Sequence, residues 1–340
     1  MSEKTNMNVF TEWHHGGLFH AQQLLWEKRL GYKLFAPVGF DWVLEGFWKL
    51  SENPATQRQY LDPLSCEMGD DGFLRYWDKG EQIWQRRITL SQFKEMQFDF
   101  VVGSLSEHCE SFRRLQKQYQ PNAKFIRLSG NTGEQVDWSL FDNFIDTTGL
   151  YNPPREINRV VIHQEFPLET FYYEEPKKHK SIKNFMNQLN EARALPVWNW
   201  LKKELPEFEF KMHGSGGDDG MIDGLAALGD SMRDMGFLFQ VKHHGEGFGH
   251  VIHNTYSVGR PAIAAIEFYR GKIAEHFLID NESAILLDNK DPGEVVEQIR
   301  FWSEPENHLK MCKKARELFV QYVDFDEDER KFRQFLANIR

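Results

Sequence analysis

The sequence predicts an α/β protein of two domains, each organised around a parallel sheet, and three observations carry that reading. Short apolar runs end in glycine or serine turns that open helices, as where Met7 to Trp13 gives way to His14-His15-Gly16-Gly17. The chain has 340 residues, more than one ordinary core needs, so two domains of roughly 150 residues each are the first expectation. Near the middle, the adjacent prolines Pro153 and Pro154 interrupt the alternation, forbid a continuing helix and favour an extended connector.

The elements follow in order. After the strand at Met7–Trp13, Leu18, Ala21, Leu24, Leu25 and Leu30 recur at spacings of three and four, marking one helical face that Gly31 can stop. Tyr32 to Pro37 reads as the next strand, which completes a βαβ unit. The unit recurs at Phe98–Val102, closed by Gly103. There Ser104 and Glu107 have the spacing of a capping box, and Leu105, Cys109, Phe112 and Leu115 share a helix face. Lys124 to Leu128 is a further strand, ending at Ser129-Gly130-Asn131. Strands that end this way gather loops at the carboxyl edge of the sheet, where open α/β folds bind ligands.

The boundary falls at Tyr151–Glu156. A second series of strands is expected at Arg159–His163, Phe208–Met212, Gly236–Lys242, Pro261–Ala264 and Ala284–Leu287. Asp291-Pro292-Gly293-Glu294 sets an N-cap, a proline at the first helical position and a glutamate to close a capping box, ahead of Val295, Val296, Ile299 and Trp302. Two more helical runs carry Leu309, Cys312, Leu318 and Phe319, then Phe332, Phe335, Leu336 and Ile339.

Composition narrows the function classes. Hydrophobic residues make up 41% and aromatics 14%, with 28 Phe and 10 Trp, as in a globular protein. No stretch approaches the ~20 uninterrupted apolar residues of a membrane span, and MSEKTNMNVF lacks the form of an export signal, so a soluble chain in the cytoplasm is expected. Cys66, Cys109 and Cys312 form no CxxC pair and no disulfide framework. A net charge of -10 repels phosphate backbones unless a local patch reverses it. Lys177-Lys178-His179-Lys180 with Lys183 is the densest such run, ahead of Arg86-Arg87 and Arg113-Arg114.

Chemistry concentrates at Gly245-Glu246-Gly247-Phe248-Gly249, between an apolar strand and a helical run. A glycine loop there brings bare backbone N–H groups to a ligand, and the helix behind it turns its positive end to the same point, which makes an anion site. Glu246 inside it suits sugar hydroxyls, from which a carboxylate accepts hydrogen bonds. The loop, with Asn254 eight positions after Glu246 and Gly259-Arg260-Pro261 before the next strand, resembles the donor signature of nucleotide-sugar glycosyltransferases of the GT-B fold. That pattern has a second glutamate where this chain has Asn254.

The resemblance implies two Rossmann-like domains with parallel sheets facing a cleft. Residues 1–152 would form the acceptor domain, 153–325 the donor domain, and 326–340 a helix returning to the first. It implies a sugar transferase using a nucleotide-sugar, most simply a UDP-sugar, with retention of configuration and no obligatory metal. Glu246 would orient the sugar, and Asn254 would take the ribose as an amide and not as a charge.

Gly245, Gly247, Phe248, Gly249 and His250 complete the donor loop, and Gly16 and Gly17 resemble the glycine-rich N-terminal loop of these enzymes. Lys183 and Lys242 are candidates for the diphosphate. His15 and His108, with His14 beside them, are candidates for proton transfer, histidine being the usual group near neutral pH. The loop Lys211–Gly220 is a candidate for the nucleobase; Asp218 and Asp219 lack the further spaced ligands of a calcium loop. Trp42, Phe47 and Trp48 could stack an acceptor, either a saccharide or a hydroxymethylated DNA base. A nucleotide-sugar epimerase and a non-catalytic nucleotide-sugar-binding protein are the rival functions.

Overall fold

The computed structural model describes residues 7–13, 15–38, 65–129, 135–154, 156–187, 189, 194–242 and 247–339. It divides into two compact units. Unit 1 is Met1–Thr147, Tyr151–Phe166 and Phe325–Arg340; unit 2 is Thr148–Leu150 and Pro167–Asp324.

Unit 1 runs β1 (Asn8–Thr11), α1 (Gly16–Gln23, continued by wider π-type turns over Leu24–Arg29), β2 (Lys33–Pro37), β3 (Cys66–Met68), β4 (Leu74–Asp78), β5 (Ile83–Ile88), α2 (Leu90–Glu95), β6 (Phe100–Gly103), α3 (Ser106–Tyr119), β7 (Lys124–Leu128), β8 (Asn143–Asp146) and β9 (Asn158–Val161). The strand order is β3-β4-β5-β2-β1-β6-β7-β8-β9. Pairing is parallel from β5 onward, and only the β3–β4–β5 edge is antiparallel.

The central strands are largely apolar because both faces of the sheet are covered. Successive residues point to opposite faces. Phe10, Phe35, Val101, Phe125 and Phe144 pack one core, while Val9, Leu34, Phe100, Val102, Ile126 and Ile145 pack the other. On the first face Phe10 meets Phe93 at 4.7 Å between ring centres.

Unit 2 runs β10 (Ser181–Asn184), α4 (Leu195–Glu204), β11 (Glu209–Met212), α5 (Leu225–Arg233), β12 (Phe237–Gln240), α6 (His250–Ser257), β13 (Ala262–Ala264), β14 (Ala284–Leu286), α7 (Pro292–Ser303) and α8 (Pro305–Tyr322). Its five strands are parallel, in the order β11-β10-β12-β13-β14. At α7 Asp291 caps as expected, accepting from the N–H of Gly293 at 2.8 Å with Pro292 at the first position, but Glu294 does not close the box and instead accepts from Gln298 at 3.0 Å.

Two expectations are corrected. The strand at Arg159 belongs to the first sheet, where β9 pairs with β8 and Asn158 donates to Asn143 at 3.2 Å. The prolines therefore link two neighbouring strands of one sheet. Nor does Ser104 cap α3 as half of a capping box: residue Leu105 occupies the cap position without a side-chain bond, and the hydroxyl of Ser104 donates to Glu12 at 3.0 Å. A buried carboxylate from another strand competes successfully for those donors.

The helix α9 (Phe325–Ala337) belongs to unit 1. Phe332 and Phe335 enter its core, Phe332 standing edge-on to Trp26 at 4.8 Å, and Asp328 accepts from the N–H and Nδ1 of His163 at 3.1 and 2.7 Å. Arg29 adds bonds to Glu165 at 3.0 Å, Asp326 at 2.8 Å and Glu329 at 3.0 Å.

In unit 2, α8 buries His308, whose Nε2 donates to the carbonyl of Gly236 at 2.9 Å. Burial pushes its imidazole down to about 4. The unfolded chain binds that proton from the ordinary 6.5 downward and the native unit does not, so stability is intact above pH 6.5 and falls as the pH drops toward 4. We expect a loss of about 3 kcal/mol over that window, read by denaturant unfolding at stepped pH. His308→Gln should flatten the slope; an equal slope in the variant would show that other groups set it.

Candidate active site

Each sheet reverses its winding at one place, between β1 and β6 in unit 1 and between β10 and β12 in unit 2. The carboxyl ends of the strands flanking such a reversal form the crevice where open α/β sheets bind ligands. Both carry chemistry here.

In unit 1, Glu12 follows β1 and is 1% exposed. Its Oε2 accepts from the N–H of Ser104 at 2.8 Å, the hydroxyl of Ser104 at 3.0 Å and the N–H of Leu105 at 3.0 Å. Its Oε1 meets Nδ1 of His108 at 2.6 Å. Such a carboxylate is held by the opening turn of α3 and fixes the imidazole ring. With Glu12 ionised the hydrogen resides on Nδ1, so Nε2 is the basic nitrogen.

Glu12, which the sequence reading missed, thus fixes the orientation of the His108 ring. The sequence signal is slight: one acid directly after an apolar strand, 96 positions from its partner. Further along the same carboxyl edge, after β7, β8 and β9, Ser129, Thr147 and Gln164 form a hydrogen-bonded row, with Gln164 donating to Thr147 at 2.8 Å and the N–H of Thr147 donating to Ser129 at 2.7 Å.

His15 has a different task. It is the N-cap of α1, its Nδ1 accepting from the N–H of Leu18 at 3.4 Å. Gly16 and Gly17 open that helix, and a Cβ on Gly16 would lie 3.0 Å from Cγ of Glu81 and 3.2 Å from an oxygen of Asp78. Carboxylates surround these glycines, a setting that suits hydroxyls better than phosphate. His14, Trp42, Phe47 and Trp48 lie outside the described residues.

In unit 2 the segment after β12 leads to α6. Gly245 and Glu246 lie outside the described residues; Lys242 stands half-buried at the strand end, and Gly247 begins the described approach to the helix. Gly249 is the N-cap at φ 82, a left-handed conformation that glycine adopts without strain. Phe248 is buried and stacks on His253 at 3.8 Å, which anchors the loop, while His250 opens the helix.

Asn254, one turn on from His250, is 7% exposed, and its Oδ1 has no hydrogen-bond partner among the described residues. A buried acceptor without a donor costs about 1–3 kcal/mol, so a ligand hydroxyl that fills it is rewarded. Lys183, by contrast, turns its ammonium to the end of α5, with Ser231 at 3.1 Å and Asp234 at 3.4 Å. The structure does not bring it together with the donor-loop residues 247–254 among the contacts described.

At the end of β11, His213 stacks on Phe185 at 5.5 Å and 12°, and burial lowers its pKa. Among the described residues no group of three His, Cys, Asp or Glu side chains is arranged to hold a metal, and no helix is long and apolar enough to cross a membrane.

No family model matches the sequence, and no curated protein matches it. Solved structures do. HepE from Anabaena, in complex with UDP-glucose, aligns over 97% of this chain and 99% of its own with a TM-score of 0.65 at 10% identity. TarM aligns over 98% and 99% with a TM-score of 0.65 at 9% identity. An alpha-glucosyltransferase in complex with UDP-glucose and DNA containing an abasic site aligns over 97% and 99%, with 0.61 at 9%. At these identities the likeness is one of fold: the chain has the α/β fold of the GT-B glycosyltransferases, built on two parallel-strand sheets.

Proposed function

We propose that the protein transfers a sugar from a UDP-sugar to an acceptor hydroxyl, with the donor held on unit 2 and the acceptor on unit 1. The observation that carries this is the chemistry at the winding reversals: an oriented histidine at one, and at the other a glycine loop followed by a buried acceptor on Asn254 that has no partner among the described residues. The UDP-sugar complexes of the structural neighbours support the donor class.

In this reading Glu246 orients the transferred sugar, Gly245, Gly247, Phe248, Gly249 and His250 shape the diphosphate end, and Asn254 Oδ1 accepts from a ribose hydroxyl. Lys242, which follows β12, is the candidate for the diphosphate, and Lys183, whose ammonium pairs with Asp234 at 3.4 Å, is the lesser one.

The acceptor oxygen forms the new bond to the anomeric carbon as the bond to the UDP oxygen breaks. The EGFG resemblance implies retention of configuration. The Glu12–His108 pair favours the opposite outcome, because a carboxylate-held base is what an in-line displacement uses to take the acceptor proton. The anomeric coupling of the product, read by NMR, decides between them.

The acceptor is a saccharide or a modified DNA base. The basic run that suggested DNA is largely compensated in the fold: Lys177 pairs with Glu174, Lys178 with Glu209 and Asp234, and Lys183 with Asp234. That leaves the saccharide as the better-supported choice, and a gel shift with duplex DNA at low and high salt tests it.

Incubation with UDP-sugars separates the rival functions. Slow UDP release marks a transferase, an isomerised donor an epimerase, and binding without turnover a binding protein. Asn254→Ala should raise the donor KM by roughly twofold to tenfold with a smaller change in kcat, since ribose contacts are alike in ground and transition states. An unaltered KM would remove Asn254 from the donor site.

A further inference from the structure

At the amino-terminal edge of the unit-1 sheet, a cleft of about 350 Å³ opens where α3 ends and β7 and β8 begin. Arg113, Lys117, Asn122, Lys124 and Asp142 line it above Gln116. It lies at the end of the strands opposite the Glu12–His108 pair, about 15 Å away along strands of four to five residues. The transfer reaction proposed above makes no use of it.

Two buried glutamines build the floor. Gln116 donates to the carbonyls of Gln120 at 3.0 Å and Ala123 at 2.8 Å; Gln120 donates to the carbonyl of Met96 at 2.8 Å and accepts from the N–H of Phe98 at 3.2 Å. The carbonyl of Gln120, the residue that caps α3, is thereby supplied with a side-chain donor.

Arg113 lies over the ring of Phe125 at 5.4 Å and donates from Nη1 to Gln116 at 2.8 Å, which fixes its plane. Its other donors, and the ammonium groups of Lys117 and Lys124, make no hydrogen bond or ion pair among the described residues. The contrast with the run at 177–183, where Lys177, Lys178 and Lys183 each have a carboxylate, is direct. Arg113, Lys117 and Lys124 against the single carboxylate of Asp142 leave a net charge of about +2 on the lining.

We propose that this cleft is a second anion site, which takes a phosphate group of charge near −2, either as inorganic phosphate or as the terminal monoester of a small molecule. Arg113 presents a pre-oriented planar donor, the two lysines close over the remaining oxygens, and Asn122 offers an amide to whatever the phosphate is attached to.

The test is calorimetric titration of the full chain at low ionic strength with inorganic phosphate and, separately, with glycerol 1-phosphate, in saturating UDP. Saturable binding that weakens about tenfold or more in the Lys117→Gln/Lys124→Gln double variant is expected. It should be unchanged in Lys177→Gln/Lys178→Gln, which removes equal charge elsewhere. A preference for glycerol phosphate identifies a monoester ligand; equal affinities identify free phosphate. No saturable binding, or equal weakening in both double variants, overturns the proposal, as does duplex DNA that binds this surface while phosphate does not. UDP affinity, measured in a separate titration of the chain free of phosphate, reports on the donor reading independently.

Discussion

Glu12→Gln is expected to lower kcat by about 10² to 10³ while leaving the donor KM within about twofold of its original value, a loss of roughly 3–4 kcal/mol of transition-state stabilisation. The substitution preserves size but replaces one oxygen by an NH₂ group. If that group faces Ser104 and Leu105 it opposes their donors; if it faces His108 it forces the other tautomer and puts the hydrogen on Nε2. In the first orientation the amide oxygen still accepts from Nδ1, but the carboxylate charge that stabilises the imidazolium is gone; in the second Nε2 carries the hydrogen and is no base. Because the two residues act as one device, His108→Gln should cost about as much, and the double variant little more than either single one. Steady-state kinetics on the three variants check this. Additive losses, or an unaffected kcat in Glu12→Gln, would reduce Glu12 to a structural cap of α3.

Arg260→Met is the counterpart for stability: we expect unit 2 to lose about 3–5 kcal/mol and its thermal midpoint to drop by roughly 10 °C or more. Arg260 is 1% exposed, and its guanidinium serves the carbonyls of Arg233, Met235, Glu174, Val258 and Gly259, the shortest bond being 2.7 Å to Arg233. Methionine fills much of the volume but leaves five carbonyls without that donor. Lysine, with three donors on a single nitrogen, cannot match the planar fork, so Arg260→Lys should be nearly as damaging. Differential scanning calorimetry measures both, and an unshifted midpoint would show that water replaces the guanidinium at little cost.

These two residues also mark how far the sequence could be read. The strand–turn–helix alternation, the segment from 247 to the strand at Ala262 and the cap at Asp291 were legible because they depend on neighbours in the chain: apolar runs, a glycine at positive φ, an Asp before a Pro. Glu12 was not, because its meaning depends on Ser104, Leu105 and His108, which reach it only once β1 and β6 pair. Arg260 stood inside the recognised Gly259-Arg260-Pro261 stretch, yet nothing local reveals that its side chain is a hub of backbone carbonyls. Ser181-Ile182-Lys183-Asn184 escaped notice as a strand since one apolar residue in four gives no period; burial on both sides makes it β10. The strand at Arg159 was recognised but given to the wrong sheet, since a proline pair signals a break in helix without saying which edge the chain joins next.

The placement of α9 has a consequence for synthesis on the ribosome. Unit 1 draws Phe332, Phe335 and Asp328 from residues translated after the whole of unit 2. At ~5–20 residues per second, translating the intervening residues 167–324 takes roughly ten to thirty seconds. During that interval unit 2 can close on its own segments, while the first sheet waits with Trp26 and Phe100 uncovered on the face that α9 will fill. The unit begun first is therefore completed second, and a nascent chain paused within α8 exposes an aromatic surface that chaperones are suited to shield.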